Sequence, residues 1–251
     1  MNKRATALSA VTSLALTLTA GAGTAAANQA RTSTRPLVNY PVATVQASAS
    51  ATTPPVRAAF LGDSYTYGVG ASVRTNGYAF LVSQAEHWDS TIVGLPGSGY
   101  TRVATKDEKD IAAGIPEVIA AHPQILVVAV GHNDSLAGQS LATTQRNSVK
   151  DLSELRAALP STKIVVVGPI WLNGHPGAKV LKVRQIVHAA QRRLPNSVWI
   201  DPIAQHWFTG TFAGRTGDDA TMINYSVGHP DDLGYQNIAA HMEADLQSLG
   251  V

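Results

Sequence analysis

Five short apolar runs recur along the chain, and longer amphipathic stretches fill the intervals between them. Arg57 to Leu61, Ser90 to Gly94, Gln124 to Val130, Lys163 to Val167 and Ser197 to Ile200 have the length of strands. Ile125-Leu126-Val127-Val128-Ala129-Val130 is continuously apolar and rich in β-branched residues, the pattern of a strand covered on both faces. Helices are predicted around Asn76 to Trp88, Ile111 to Ala121, Leu141 to Leu159, Ala178 to Leu194 and Leu233 to Leu249. Pro160 closes the third, and Val180, Val183, Ile186, Val187 and Ala190 line one side of the fourth. Strand and helix alternate, which argues for βα units and a parallel sheet, and right-handed crossovers place helices on both its faces. The expected fold is therefore α/β, a three-layer α/β/α sandwich built on a single five-stranded parallel sheet with the flavodoxin-like strand order 2-1-3-4-5.

The first part of the chain does not share this rhythm. Met1 to Ala27 reads as a signal peptide: Lys3 and Arg4 precede an apolar stretch, and Ala25-Ala26-Ala27 supplies small residues for cleavage. Residues 28–55, rich in Ala, Thr, Ser, Pro and Gln, read as a flexible leader, which leaves 56–251 for one domain with a substantial core. The protein is expected to be secreted to the extracellular space. Its 251 residues include no cysteine, so no disulfide staples the fold and thiolate chemistry is absent. A net charge of +2 with scattered basic residues leaves no footprint for nucleic acid. No later apolar run reaches the roughly 18 residues of a membrane anchor. A monomer is expected.

Chemistry-bearing residues gather where strands end. Gly62-Asp63-Ser64 follows the first strand, Leu95-Pro96-Gly97-Ser98-Gly99-Tyr100-Thr101 the second, and Gly131-His132-Asn133-Asp134 the third. Ser226-Val227-Gly228-His229-Pro230 precedes the last helix. In an open α/β sheet the carboxyl ends of the strands border one crevice, so these loops meet there. Taken alone, Gly62-Asp63-Ser64 is equally a turn in which Asp63 or Ser64 caps a helix.

With these four blocks in order, the chain from about Arg57 to Leu249 resembles the SGNH hydrolases, the GDSL-type esterases and lipases. The resemblance implies a serine nucleophile at Ser64 and a base at His229. It also implies an oxyanion hole made by the backbone amides of Ser64 and Gly97 and the side-chain amide of Asn133. Gly99 competes with Gly97, since the loop offers both. Asp63 and Asp134 are expected to fix loops, and His132 to form a wall. No metal or organic cofactor is implied; His229-Pro230-Asp231-Asp232 lacks the further ligands of a metal site, and Asp231 and Asp232 suit the start of the last helix. The substrate would be a small-molecule or carbohydrate ester with a short acyl or acetyl group. A lipase or phospholipase acting on longer chains, and an inactive carbohydrate-binding module, are the alternatives. Trp171, Trp199 and Trp207 fit either the core or a substrate platform.

The chain departs from the family pattern at one position. The family has an aspartate three residues before its histidine, where this chain has Ser226. The histidine-orienting group is expected in the Ser226 to Gly228 turn, as a main-chain carbonyl or the Ser226 hydroxyl. Asp218, Asp219, Asp231 and Asp232 are the remaining acids nearby.

Overall fold

The computed structural model describes residues 40–47, 54–101 and 110–251, with Asp218 and Asp219 described in their backbone alone. The predicted signal peptide and most of the predicted leader lie outside the described residues. In chain order the strands are β1 (Ala43–Val45), β2 (Arg57–Gly62), β3 (Asp89–Gly94), β4 (Ile125–Ala129), β5 (Lys163–Val167) and β6 (Ser197–Ile200), with a small hairpin of β7 (Ile223–Asn224) and β8 (His229–Pro230). The helices are α1 (Ser64–Tyr67), α2 (Tyr78–Ala85), α3 (Ile115–Ala120), α4 (Leu141–Ala158), α5 (Ala178–Gln191) and α6 (Asp232–Ser248). No described helix is long and apolar enough to cross a membrane.

The main sheet has six strands in the order β1-β3-β2-β4-β5-β6. Its five parallel strands follow the expected 2-1-3-4-5 order. The sixth is an addition: Ala43–Val45, inside the stretch read as a leader, pairs antiparallel with β3 and covers that edge. Three residues without a long apolar run carry no strand signal of their own, and here the neighbouring edge supplies the hydrogen bonds.

Side chains alternate between two cores, as the twofold period of a strand requires. Phe60, Val127, Val165 and Val167 face α2 and α6, where Tyr78, Phe80, Tyr235, Ile238 and Met242 meet them. Leu61, Leu126, Val128, Ile164 and Val166 face α3, α4 and α5, against Ile115, Val118, Leu152, Leu155, Val183 and Val187. Among the described residues both faces are covered, and the loops singled out in the sequence follow the carboxyl ends of β2, β3 and β4.

Those ends are kept low. Gly62 of β2 lies beside Gly94 of β3 on one side and Ala129 of β4 on the other. Helix α1 rests on this floor of small residues. A Cβ on Gly94 would stand 2.4 Å from the Tyr67 nitrogen and 2.5 Å from its Cα, and one on Gly62 would stand 2.7 Å from the Ala129 carbonyl oxygen. At Gly94 the contact is backbone against backbone, so no rotamer change relieves it, whereas a Cβ on Gly62 would first meet the Thr66 side chain. Gly94→Ala is therefore expected to lift α1 and to cost about 1–3 kcal/mol, the usual range for overpacking. At about 2–4 °C per kcal/mol for a domain of this size, the melting temperature should fall by several degrees, and a variant melting within about 1 °C of the parent would show that α1 is free to shift.

Candidate active site

Ser64 owes its place to how β2 stops. The strand ends at Gly62, and Asp63 caps the next helix by accepting the Tyr65 amide on Oδ1 at 3.0 Å. Gly68, with φ of 92°, closes α1 after one turn. The capping role considered for Asp63 is thus real. Ser64 becomes the first helical residue, whose amide has no acceptor within the helix. Only 6% of Ser64 is exposed.

His229 reaches Ser64 from the β7–β8 hairpin, in which Asn224 and His229 are cross-strand partners. Its Nε2 is 2.8 Å from Ser64 Oγ, and its Nδ1 is 2.8 Å from the Val227 carbonyl oxygen. A carbonyl only accepts, so the hydrogen sits on Nδ1 and the Nε2 lone pair faces the serine hydroxyl. Burial holds the imidazole below its ordinary pKa, partly offset by the Val227 carbonyl, which favours the protonated ring.

The structure does not bring the Ser226 side chain to the histidine. Its hydroxyl donates to Asn224 Oδ1 at 2.5 Å and its amide to the same oxygen at 3.2 Å, so the hydroxyl is turned into the loop. The acceptor is one residue further on, the main chain of Val227. Asp231 accepts the Gly234 amide and caps α6, while Asp232 accepts from the Ser72 amide and hydroxyl and from Asn76. Both are committed elsewhere. The side chains of Asp218 and Asp219 lie outside the described residues.

On the other side of Ser64, the Ser98 amide donates to the Leu95 carbonyl at 3.0 Å, which makes Leu95 to Ser98 a β-turn. Pro96 and Gly97, the latter at φ of 81°, suit the two central positions of its type II form. The amide of a turn's third residue lies outside the turn's own hydrogen bond, so Gly97 offers a donor. Gly99 has another reason to be glycine: a Cβ there would stand 2.5 Å from Asp134 Oδ2. That carboxylate accepts the Tyr100 and Thr101 amides at 3.0 and 2.7 Å, fixing the loop as expected of Asp134. Asn133 is buried between the two turns. Its Nδ2 donates to the Ser98 carbonyl at 2.8 Å and, at 3.3 Å, to Asp63 Oδ2. Burial, with the charge of Asp134 adding to it, pushes Asp63 up to about 7 against the pull of the Tyr65 amide.

Beside the Ser64–His229 pair lies a cavity of about 280 Å³ lined by Tyr65, His132, Trp171, Leu172 and Phe212, among others. Rings form a continuous wall: Tyr65 stands 5.4 Å from His229 and 5.2 Å from His132, and His132 stands 5.2 Å from Trp171. His132 is held by an Nδ1–H bond to the Ile170 carbonyl at 3.0 Å. Trp171 is thus cavity wall, Trp207 is core, and Trp199 stacks on His188 and donates to Asp201. Sequence reasoning did not mark Phe212 or Asn224, since neither belongs to a motif. Among the described residues no group of three or more His, Cys, Asp or Glu side chains is placed to hold a metal ion.

Residues 60–236 match the model of the GDSL-like Lipase/Acylhydrolase family. A GDSL lipase of Mycobacterium tuberculosis is 33% identical over 89 residues, a match that spans 36% of this chain and 34% of that protein. A family two carbohydrate esterase from Clostridium thermocellum, solved in complex with cellohexaose, superposes with a TM-score of 0.60 at 18% identity, over 80% of this chain and 67% of that one. A putative lipolytic protein of the G-D-S-L family from Desulfitobacterium hafniense does so with a TM-score of 0.58 at 14% identity, over 75% of this chain and 98% of that one. At these identities the likeness to solved structures is one of fold. The family match begins inside β2, ends inside α6, and takes in the Gly62-Asp63-Ser64 turn, the glycine loop, Asn133 and His229; the chain belongs to the GDSL-like lipase/acylhydrolase family.

Proposed function

We propose that the protein is a secreted serine esterase that hydrolyses carboxylic esters of short acyl or acetyl groups through an acyl-enzyme on Ser64. The observation that carries this reading is the run from Ser64 Oγ to His229 Nε2, and from Nδ1 to the Val227 carbonyl, at 2.8 Å each. A hydroxyl is a weak nucleophile at its own pKa and needs a base already in hydrogen-bond reach. As Oγ attacks the ester carbon, its proton passes to Nε2 and the carbonyl oxygen takes up the negative charge. The amides of Ser64 and Gly97 and the Asn133 side chain stabilise that charge. The long 3.3 Å contact from Asn133 to Asp63 is the one an oxyanion displaces at least cost, leaving the bond to Ser98 to hold the amide in place. Collapse of the intermediate expels the alcohol, which takes the proton from His229. Water then repeats the sequence on the acyl-enzyme and restores Ser64.

Longer acyl groups are a second reading, favoured by one observation: the cavity beside the dyad is walled by rings and Leu172 and is larger than an acetyl group needs. A series of esters varied first in acyl length and then in alcohol separates the two. Activity confined to acetyl and other short chains supports the first reading, and a rise with chain length the second.

Ser64→Ala is expected to remove ester turnover while the fold persists, and an organophosphorus reagent to add at Ser64; a folded variant with parental turnover, or an adduct mapped elsewhere by mass spectrometry, would sink the mechanism. Asn133→Ala should lower kcat by roughly 10²–10³, as loss of one oxyanion donor does, with a smaller change in KM. A raised KM at constant kcat would make Asn133 a substrate-binding residue. The pH profile follows from His229. The neutral ring is the active base and burial depresses its pKa, so kcat/KM should rise with pH through a midpoint below the ordinary imidazole value of 6.5. A midpoint above that value, measured on the free enzyme, would point to Asp63, itself pushed up to about 7, or to a carboxylate facing the ring.

A further inference from the structure

The turn that carries the base has a hub, and no motif marks it. Beyond the hairpin ladder, the carbonyl, the side-chain oxygen and the side-chain nitrogen of Asn224 all make hydrogen bonds. Its carbonyl accepts the amides of Val227 at 3.2 Å and Gly228 at 2.9 Å, which closes the four-residue loop on itself. Its Oδ1 accepts both the amide and the hydroxyl of Ser226. Its Nδ2 donates 3.0 Å to the carbonyl of Gly70, in the segment that follows the nucleophile helix. Gly70 lies directly against the base: with φ of 100°, a Cβ there would stand 2.9 Å from His229 Cβ and 2.4 Å from the Pro230 carbonyl oxygen.

We infer that Asn224 is the positioning residue of this site: it folds the loop so that the Val227 carbonyl meets His229 Nδ1, and it ties that loop to the nucleophile's own segment so that Nε2 stays over Ser64. Resting on the esterase reading above, this gives Asn224 the task that the absent acid at position 226 would have performed. The chemistry is indirect. Asn224 touches neither reacting atom, and acts on the tautomer and tilt of the ring through the main chain. One side chain serves both ends because a carboxamide accepts at its oxygen and donates at its nitrogen, which neither aspartate nor serine does in the same geometry.

The test compares Asn224→Ala, Asn224→Asp and Ser226→Ala in the full-length protein. Asn224→Ala is expected to lower kcat by roughly 10², at the low end of what a positioned general base contributes, with KM changed by less than about threefold. Because the Val227 carbonyl favours the protonated ring, its loss should also move the acid limb of kcat/KM to lower pH. Nitrogen-15 spectra of the imidazole should show a single Nδ1–H tautomer in the parent and a mixture in the variant. Asn224→Asp keeps the acceptor for Ser226 but loses the donor to Gly70, so a loss of roughly tenfold is expected, and Ser226→Ala should cost less than that. A folded Asn224→Ala with kcat within about threefold of the parent overturns the inference. So does a fall in kcat with the tautomer and acid limb unmoved, which would make Asn224 structural only. Should Asn224→Ala fail to fold, Asn224→Asp decides by the same readouts. A parent enzyme without ester turnover overturns the functional reading instead, and the tautomer spectra still report on Asn224.

Discussion

A serine and a histidine separated by 165 positions have to stay within 2.8 Å of each other, and much of the local architecture follows from that requirement. The main sheet alone does not impose it. Ser64 stands on the first strand–helix junction and His229 on a two-residue strand outside the main sheet, so their separation is set by a seam between residues 68–76 and 222–235. Tyr235 crosses the seam with its hydroxyl on the Val69 carbonyl at 2.7 Å. Asp232 crosses it to the amide and hydroxyl of Ser72 at 2.8 and 2.6 Å and to Asn76 at 2.9 Å. Asn224 crosses it to Gly70. Each such bond contributes a net of about 1 kcal/mol, so what the seam supplies is alignment more than stability.

Most of the fold is legible in the sequence because its signals are local and repeated. The five parallel strands announce themselves as apolar runs, and the alternation inside them assigns each residue to one of the two cores. The elements that escape are those too short to show a period. Helix α1 is a single turn defined by a capping carboxylate and a glycine at φ of 92°, and β1 exists because a neighbouring edge is unpaired. The β7–β8 hairpin is two residues on each side, held by the interactions of Asn224 and Ser226 rather than by strand propensity.

The candidate site is legible to a different extent. Ser64, Asn133 and His229 are visible through the family resemblance, because they stand in its motif blocks. The different settings of Gly97 and Gly99 are not, since two glycines in one loop look alike until Asp134 is seen packed on the second. Ser226 stands where the family has its acid, but its hydroxyl turns to Asn224, and the acceptor is a main-chain carbonyl of the Ser226 to Gly228 turn, one of the two groups expected there. Trp171 and Phe212 become cavity walls only once the chain has folded around the space between them. The buried acids are also placed in a way that composition does not reveal. Asp63 and Asp134 flank Asn133, and burial pushes Asp63 up to about 7.

An acceptor that belongs to the backbone has an unusual standing in heredity. No codon specifies it, and no exchange at position 227 deletes it. Val227 is 49% exposed, so its side chain can change with the demands of solubility while the oxygen beneath it remains. The planar amide that carries the oxygen neither gains nor loses a proton across the pH range in which proteins stay folded, so acid leaves the acceptor facing His229 Nδ1 unchanged. Mutational risk is thereby moved away from the acceptor and onto the residues that shape the path of the chain, Gly70 and Asn224 foremost among them.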